Sequence, residues 1–299
     1  MDIVRAKRAG ACYGVQRALD MVEEVLAEGG RAYTLGPLIH NPQVVADLEA
    51  KGATAVDSVE AVEQRESAPS DAVAGDADSP AATMPPTVVI RSHGVTPQVL
   101  ESVTDRGLPV VDATCPHVAR AQRAAAELAQ TGCRVIVVGE AGHPEVEGLT
   151  AWARNEGGKV DVVACPDEIP EGLYDPIGVV AQTTQRRENL QAVVAALEAR
   201  GLSPQVRDTI CSATRQRQEA AAALAADVDA MVVIGGRNSS NTTRLAEVCA
   251  ALCGRTFHIE SADELNPSAF VGCSRIGVTA GASTPESQIQ AVEQALREL

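Results

Sequence analysis

Short β-branched runs alternate with stretches of helical period along almost the whole chain. Apolar runs fall at 88–91, 110–112, 135–138, 177–181, 231–234 and 276–279. Amphipathic periodicity covers 15–28, 118–131, 186–200, 214–226, 242–252 and 286–298. Short continuous apolar runs are the pattern of strands covered on both faces, and the longer periodic stretches are helices with one buried stripe. Strands alternating with helices predict an α/β fold with mostly parallel sheets. One segment, 57–86, interrupts the alternation. It is rich in Asp, Glu, Ala, Ser and Pro and has no apolar period beyond about Val62. Residues 63–86 therefore read as a mobile acidic surface insertion without a packed core of its own.

The alternation repeats three times. Cys12, Cys115 and Cys211 each open a helix, each helix leads to a strand, and each strand ends in a polar loop. The interval from cysteine to loop is constant: 12 to 40, 115 to 143 and 211 to 239 are each 28 residues. The loops are His40-Asn41-Pro42, His143-Pro144-Glu145 and Asn238-Ser239-Ser240-Asn241. A second strand and loop follow in each unit, at Ser92-His93-Gly94, Gln182-Thr183-Thr184 and Gly281-Ala282-Ser283. Three pseudo-threefold-related α/β lobes follow: 13–114 with the acidic insertion, 115–210, and 211–299 completed by 1–12.

Composition narrows the function. The 299 residues carry 25 Lys and Arg against 40 Asp and Glu, a net charge of −15. That balance argues against nucleic acid and anionic membrane surfaces as partners. One Trp, three Tyr and two Phe leave little for base stacking and require an aliphatic, Ala-rich core. No apolar run approaches the roughly 20 residues of a membrane span, and the N-terminus lacks a signal-peptide pattern. The expected compartment is the cytoplasm, where thiols stay reduced. The eight cysteines include no CxxC pair, so zinc-ribbon and thioredoxin-type readings fail.

In parallel sheets, ligands bind beyond the carboxyl ends of the strands, which is where all six loops lie. Three lobes around one axis point the three cysteines and the loops at a common cavity. A helix N-terminus favours thiolate, and converging thiolates suit a soft metal: zinc with a water, or an iron–sulfur cubane with one iron lacking a protein ligand. Taken singly, without the repeat, each cysteine reads more readily as a small buried residue than as a ligand. His40, His93, His143, Ser239, Asn241 and Ser283 are neutral or near-neutral donors that supply directed hydrogen bonds for phosphate oxygens, and His would add charge if protonated. Glu145, desolvated beside His143, reads either as a tuned proton donor or as a charge at a helix start. Thr183 offers a relay hydroxyl, and Thr184 equally an N-cap for 186–200. His117 follows the Cys115-Pro116 turn and could reach the site, though a role there is the less favoured reading, while Cys133, Cys165, Cys249, Cys253, Cys273 and His258 read as structural, Cys249 and Cys253 sharing a helix face.

These motifs resemble the 4-hydroxy-3-methylbut-2-enyl diphosphate reductases, the IspH/LytB family. The matching stretches are AGACYGVQRAL (9–19), GPLIHNPQVV (36–45), RSHGVTP (91–97), VDATCPHV (111–118), GHPEVEG (142–148), AQTTQ (181–185), DTICSATRQRQEA (208–220), GGRNSSNTTRLAE (235–247) and GVTAGASTPE (277–286). They occur in the family's order. The resemblance implies three lobes around one [4Fe–4S] cluster, with Cys12, Cys115 and Cys211 as ligands and one open iron for the substrate's allylic hydroxyl. It implies that His40, His93, Ser239, Asn241 and Ser283 hold the diphosphate with Ser240 close by, that His143 contacts substrate, that Glu145 supplies protons and that Thr183 orients them. The implied reaction is reductive dehydroxylation to isopentenyl and dimethylallyl diphosphate, fed by a ferredoxin- or flavodoxin-like donor. The same residues also suit a non-redox hydro-lyase or a cluster-bearing sensor. Ala11, where many members carry Phe, and the acidic insertion depart from the family pattern.

Overall fold

The computed structural model describes residues 1–67 and 85–299. The chain opens with β1 (Asp2–Arg5) and α1 (Tyr13–Ala27), then β2 (Ala32–Leu35), α2 (Pro42–Ala50), β3 (Ala53–Val56), α3 (Val59–Ser67), β4 (Thr87–Ile90), α4 (Pro97–Asp105) and β5 (Val110–Asp112). The middle of the chain runs α5 (Pro116–Gln130), β6 (Arg134–Val138), α6 (Pro144–Asn155), β7 (Val160–Val163), β8 (Ile177–Ala181), α7 (Arg187–Ala199) and β9 (Gln205–Val206). The last third adds α8 (Ser212–Ala225), β10 (Ala230–Ile234), α9 (Ser240–Ala250), β11 (Thr256–Ile259), β12 (Arg275–Ala280) and α10 (Glu286–Arg297).

Three four-stranded parallel sheets result, with one topology. Their orders are β3-β2-β4-β5, β7-β6-β8-β9 and, read in the same sense, β11-β10-β12-β1. In the third sheet the edge position is taken by the first strand of the chain, with Ile3 opposite Ile276 and Val4 opposite Gly277. Arg5 holds that junction from the side, its Nε 2.6 Å from Glu293 and Nη1 2.7 Å from Glu286 on α10.

Each sheet is buried on both faces, which explains the continuous apolar runs. Along β6, Val135 and Val137 pack with α5 and α6, whereas Ile136 and Val138 pack with α7. Along β10, Ala230, Val232 and Ile234 face α10, and Met231 and Val233 face α8 and α9. The first sheet divides likewise, Val89 to one side and Val88 and Ile90 to the other. Aliphatic side chains fill these layers almost alone, the exception being the Phe257–Phe270 pair at 5.2 Å.

Several elements differ from the sequence reading. Helices α2, α4 and α6 are not among the predicted periodic stretches, and their signal is a cap followed by proline: Asn41-Pro42, Thr96-Pro97 and His143-Pro144. The strand expected over 204–209 pairs only at Gln205 and Val206. Residues 63–67, read as part of the acidic insertion, instead complete α3, where the Tyr33 hydroxyl donates to Glu66 at 2.5 Å and Arg31 pairs with the same carboxylate. The remainder of that expected segment, 68–84, lies outside the described residues. Cys253 lies beyond the end of α9 rather than on its face, though both it and Cys249 are buried.

Candidate active site

The three cysteines are the N-caps of α1, α5 and α8, and none uses its side chain to cap. Their backbones are held in the same way. Each cysteine N–H donates to a carbonyl two residues past a central strand: Cys12 to Ala282 (3.1 Å), Cys115 to Ser92 (2.9 Å) and Cys211 to Thr183 (2.9 Å). These residues follow β12, β4 and β8, so the pseudo-threefold repeat extends to individual hydrogen bonds. With the backbone fixed and the hydroxyl-type cap absent, each sulfur is free to point inward.

The sulfurs converge. A Cβ on Gly14 would lie 2.5 Å from Cys115 Sγ and 4.0 Å from Cys12 Sγ, so only glycine leaves room for the sulfur beside it. Cys12 and Cys211 both act electrostatically on Cys115. Burial pushes the Cys115 thiol up, against the opposing pull of the His117 and Val118 amides. The helix N-terminus alone therefore does not make this thiol acidic. A metal that displaces the proton would do so.

One cavity of about 100 Å³ is lined by all three cysteines together with His40, His93, His143, Glu145, Thr183, Ser239, Ser240, Asn241 and Ser283. Every candidate residue read from the sequence thus borders the same space. His117 and Thr184 border it too. Thr184 is not the expected N-cap, since α7 is capped at Arg186, and its buried Oγ has no protein partner. His258 lies away from the cavity, bonded through Nε2 to the Gly235 carbonyl at 2.9 Å.

The imidazoles form a triangle, with ring centroids 4.3 Å apart for His40–His93, 5.3 Å for His40–His143 and 5.6 Å for His93–His143. One ring nitrogen from each lies within 4.8 Å of the others, a spacing that also suits a metal ion. Burial lowers all three pKa values, His143 to about 4, so without a ligand these rings are neutral hydrogen-bonding groups and do not carry the added charge that protonation would bring. His143 Nδ1 accepts the Glu145 N–H at 3.1 Å, so its neutral ring carries the proton on Nε2. His40 Nε2, His93 Nδ1 and Asn241 Nδ2 are buried without a protein partner. Such atoms are costly unless a ligand or water satisfies them.

Glu145 is 1% exposed in the first turn of α6. Its carboxylate turns away from its own helix amides. Oε1 accepts the Thr183 N–H at 2.6 Å and Oε2 lies 2.8 Å from Thr183 Oγ. Burial raises its pKa to about 7 against the two Thr183 hydrogen bonds. The acid and its conjugate base are then both accessible near neutrality, which is the property of a proton donor.

Three arginines at this site escaped the sequence reading. Arg91 acts electrostatically on all three histidines. Arg244 reaches His143 and pairs with Glu140 at 2.7 Å, while Ser240 Oγ donates to the same Glu140 carboxylate. Arg217 is buried near Cys12 and Cys211. Their positions depend on contacts between distant parts of the chain, and the only local hint was their place inside the quoted motifs.

The model of the LytB protein family matches residues 3–297. The chain belongs to this family. A 4-hydroxy-3-methylbut-2-enyl diphosphate reductase of Geotalea uraniireducens is 46% identical over 300 residues, covering 100% of this chain and 98% of that protein. A solved (E)-4-hydroxy-3-methyl-but-2-enyl diphosphate reductase, described as the terminal enzyme of the non-mevalonate pathway, is 40% identical, with a TM-score of 0.67 and full coverage of both chains. The fold is also shared with the E-1-hydroxy-2-methyl-but-2-enyl-4-diphosphate reductase of Plasmodium falciparum. That match has a TM-score of 0.86 at 24% identity and covers 99% of this chain and 87% of that one. No helix among the described residues is long and apolar enough to cross a membrane.

Proposed function

We propose that this chain catalyses the reductive dehydroxylation of 4-hydroxy-3-methylbut-2-enyl diphosphate to isopentenyl and dimethylallyl diphosphate. Two electrons and two protons are consumed, the C–O bond of the allylic alcohol breaks, a C–H bond forms, and water leaves. The observation that carries the reading is the single cavity in which three helix-capping cysteines, the Glu145–Thr183 pair and the His, Ser and Asn lining meet.

The donor set fits a soft metal centre with an open position: three sulfurs, and a glycine where a side chain would collide with one of them. When bound, a [4Fe–4S] cluster held by Cys12, Cys115 and Cys211 supplies electrons one at a time and an open, Lewis-acidic iron for the substrate hydroxyl. His40, His93, Ser239, Ser240, Asn241 and Ser283 hold the diphosphate, and His143 adds its Nε2–H. Binding energy at that end positions the reacting carbon. Glu145 delivers the proton. Thr183 orients it, because its hydroxyl can accept from the acid or donate to the carboxylate. Burial of the pair excludes competing water.

The electrons come from an external ferredoxin- or flavodoxin-like donor. A reducing compartment, the cytoplasm, suits free thiols and cluster alike. The lobes are read as 13–114, 115–210 and 211–299 with 1–12. The test is anaerobic: iron and acid-labile sulfide per chain, then turnover of the hydroxymethylbutenyl diphosphate with a reduced viologen. About four irons and four sulfides with reductive turnover support the proposal. A full cluster without reductive turnover favours a hydro-lyase or sensor, and stoichiometric zinc without sulfide refutes the redox mechanism.

A further inference from the structure

Near Cys12 and Cys211 lies a cation that the mechanism above does not use. Arg217, on α8, is 5% exposed. Its Nη2 donates to the Gly10 carbonyl at 2.7 Å, and Nη1 reaches the Ala213 carbonyl at 3.5 Å. Its Nε is buried without a hydrogen-bond partner. Among the described residues, the only groups of opposing charge that reach it are the Cys12 and Cys211 sulfurs, which are negative only when deprotonated or ligating a metal. No carboxylate accompanies it, in contrast to Arg244 with Glu140 or Arg134 with Asp161.

A guanidinium stays protonated, and an unpaired charge inside a protein is strongly unfavourable. Two neutral carbonyl contacts do not compensate a buried charge. The geometry makes sense if the centre held by the neighbouring cysteines is itself anionic. The Gly10 contact adds a mechanical link, because Gly10 lies two residues before Cys12 and Arg217 six residues after Cys211. One side chain thus spans two segments that carry cysteines.

We propose that Arg217 is the built-in counter-charge of the three-cysteine centre, raising the reduction potential of the cluster there while holding the Cys12 loop against the Cys211 helix. The inference rests on the cluster reading above. In the step concerned, one electron leaves the external donor, which is oxidised, and enters the centre, which is reduced and gains negative charge. A fixed cation nearby favours that product more than the starting state. Arg217 is a positioning residue: it acts through the cysteines and touches no reacting carbon.

The test uses anaerobically purified holoprotein and the variants Arg217→Gln and Arg217→Lys. Iron and sulfide are measured first, then the midpoint potential by dye-mediated titration followed by electron paramagnetic resonance. Gln keeps a donor and loses the charge; Lys keeps the charge. The expected result is a lower potential in Arg217→Gln. The ratio of reduced to oxidised cluster at fixed donor potential drops about tenfold, equivalent to about 59 mV for one electron. Arg217→Lys stays close to wild type. A fully loaded Arg217→Gln with wild-type potential overturns the proposal. If Arg217→Gln fails to retain iron, Arg217→Lys decides: a loaded cluster with near-wild-type potential supports the counter-charge, and loss of iron or a lowered potential refutes it. Wild-type protein without iron and sulfide sinks the cluster reading instead, so the two failures are distinguishable.

Discussion

Glu145→Gln tests the proton donor most directly. Burial moves the Glu145 pKa from the ordinary carboxylate value of 4.5 to about 7. That difference corresponds to roughly 3 kcal/mol between the two protonation states. The folded protein binds this proton more tightly than the unfolded chain does. The resulting stabilisation is fully present below about pH 4.5 and is lost as the pH rises through about 7. Gln keeps the shape and cannot ionise, so the variant lacks this limb. Relative to wild type it gains up to about 3 kcal/mol between acidic and mildly alkaline pH, read by urea unfolding at the two ends of the range. In turnover, the acid form is the competent one, so wild-type kcat falls above about pH 7. The variant loses on the order of 10²–10⁴-fold at every pH while retaining its iron. Turnover within tenfold of wild type, or an unchanged difference in unfolding free energy across the range, refutes the assignment.

Four further outcomes are expected. Thr183→Val removes a hydroxyl hydrogen bond that holds the Glu145 pKa down, so the alkaline limb of kcat moves to higher pH; a limb that stays in place separates Thr183 from the proton path. Gly14→Ala places a methyl group 2.5 Å from Cys115 Sγ, so iron retention fails while circular dichroism stays native; full iron content contradicts the convergence of sulfurs. Cys115→Ser loses iron and turnover together, whereas Cys133→Ser, at a buried position outside the cavity, keeps both; iron retained by the first breaks the ligand assignment. Inorganic diphosphate takes up protons as it binds, because an anion raises the pKa of rings that burial keeps neutral. Calorimetry in buffers of different ionisation enthalpy reads this uptake directly, and identical heats in all buffers exclude it.

Much of the architecture was legible because it depends on short-range pattern. Buried parallel strands must be apolar on both faces, so β4, β6, β8, β10 and β12 announce themselves as runs. The threefold repeat shows as three equal cysteine-to-loop intervals, and the same loops are the ones that border the cavity. In detail the register slips. His143 and Ser239 are N-caps, but His40 precedes its cap, Asn41, by one residue. A constant sequence interval therefore did not mean an identical backbone position.

What sequence alone determined here was which residues gather: the cysteines, the polar loops and Glu145, each specified by a helix start or a strand end within a few positions of itself. Tertiary structure alone decided their electrical state. Burial neutralises His40, His93 and His143, lifts Glu145 and opposes the helix dipole at Cys115. Arg217 faces Gly10 across 207 positions and Ser240 meets Glu140 across 100. Helix starts and strand ends follow local backbone preference, which the chain carries within itself. Desolvation and charge pairing depend on everything that surrounds a group, and that is known only after the lobes have packed.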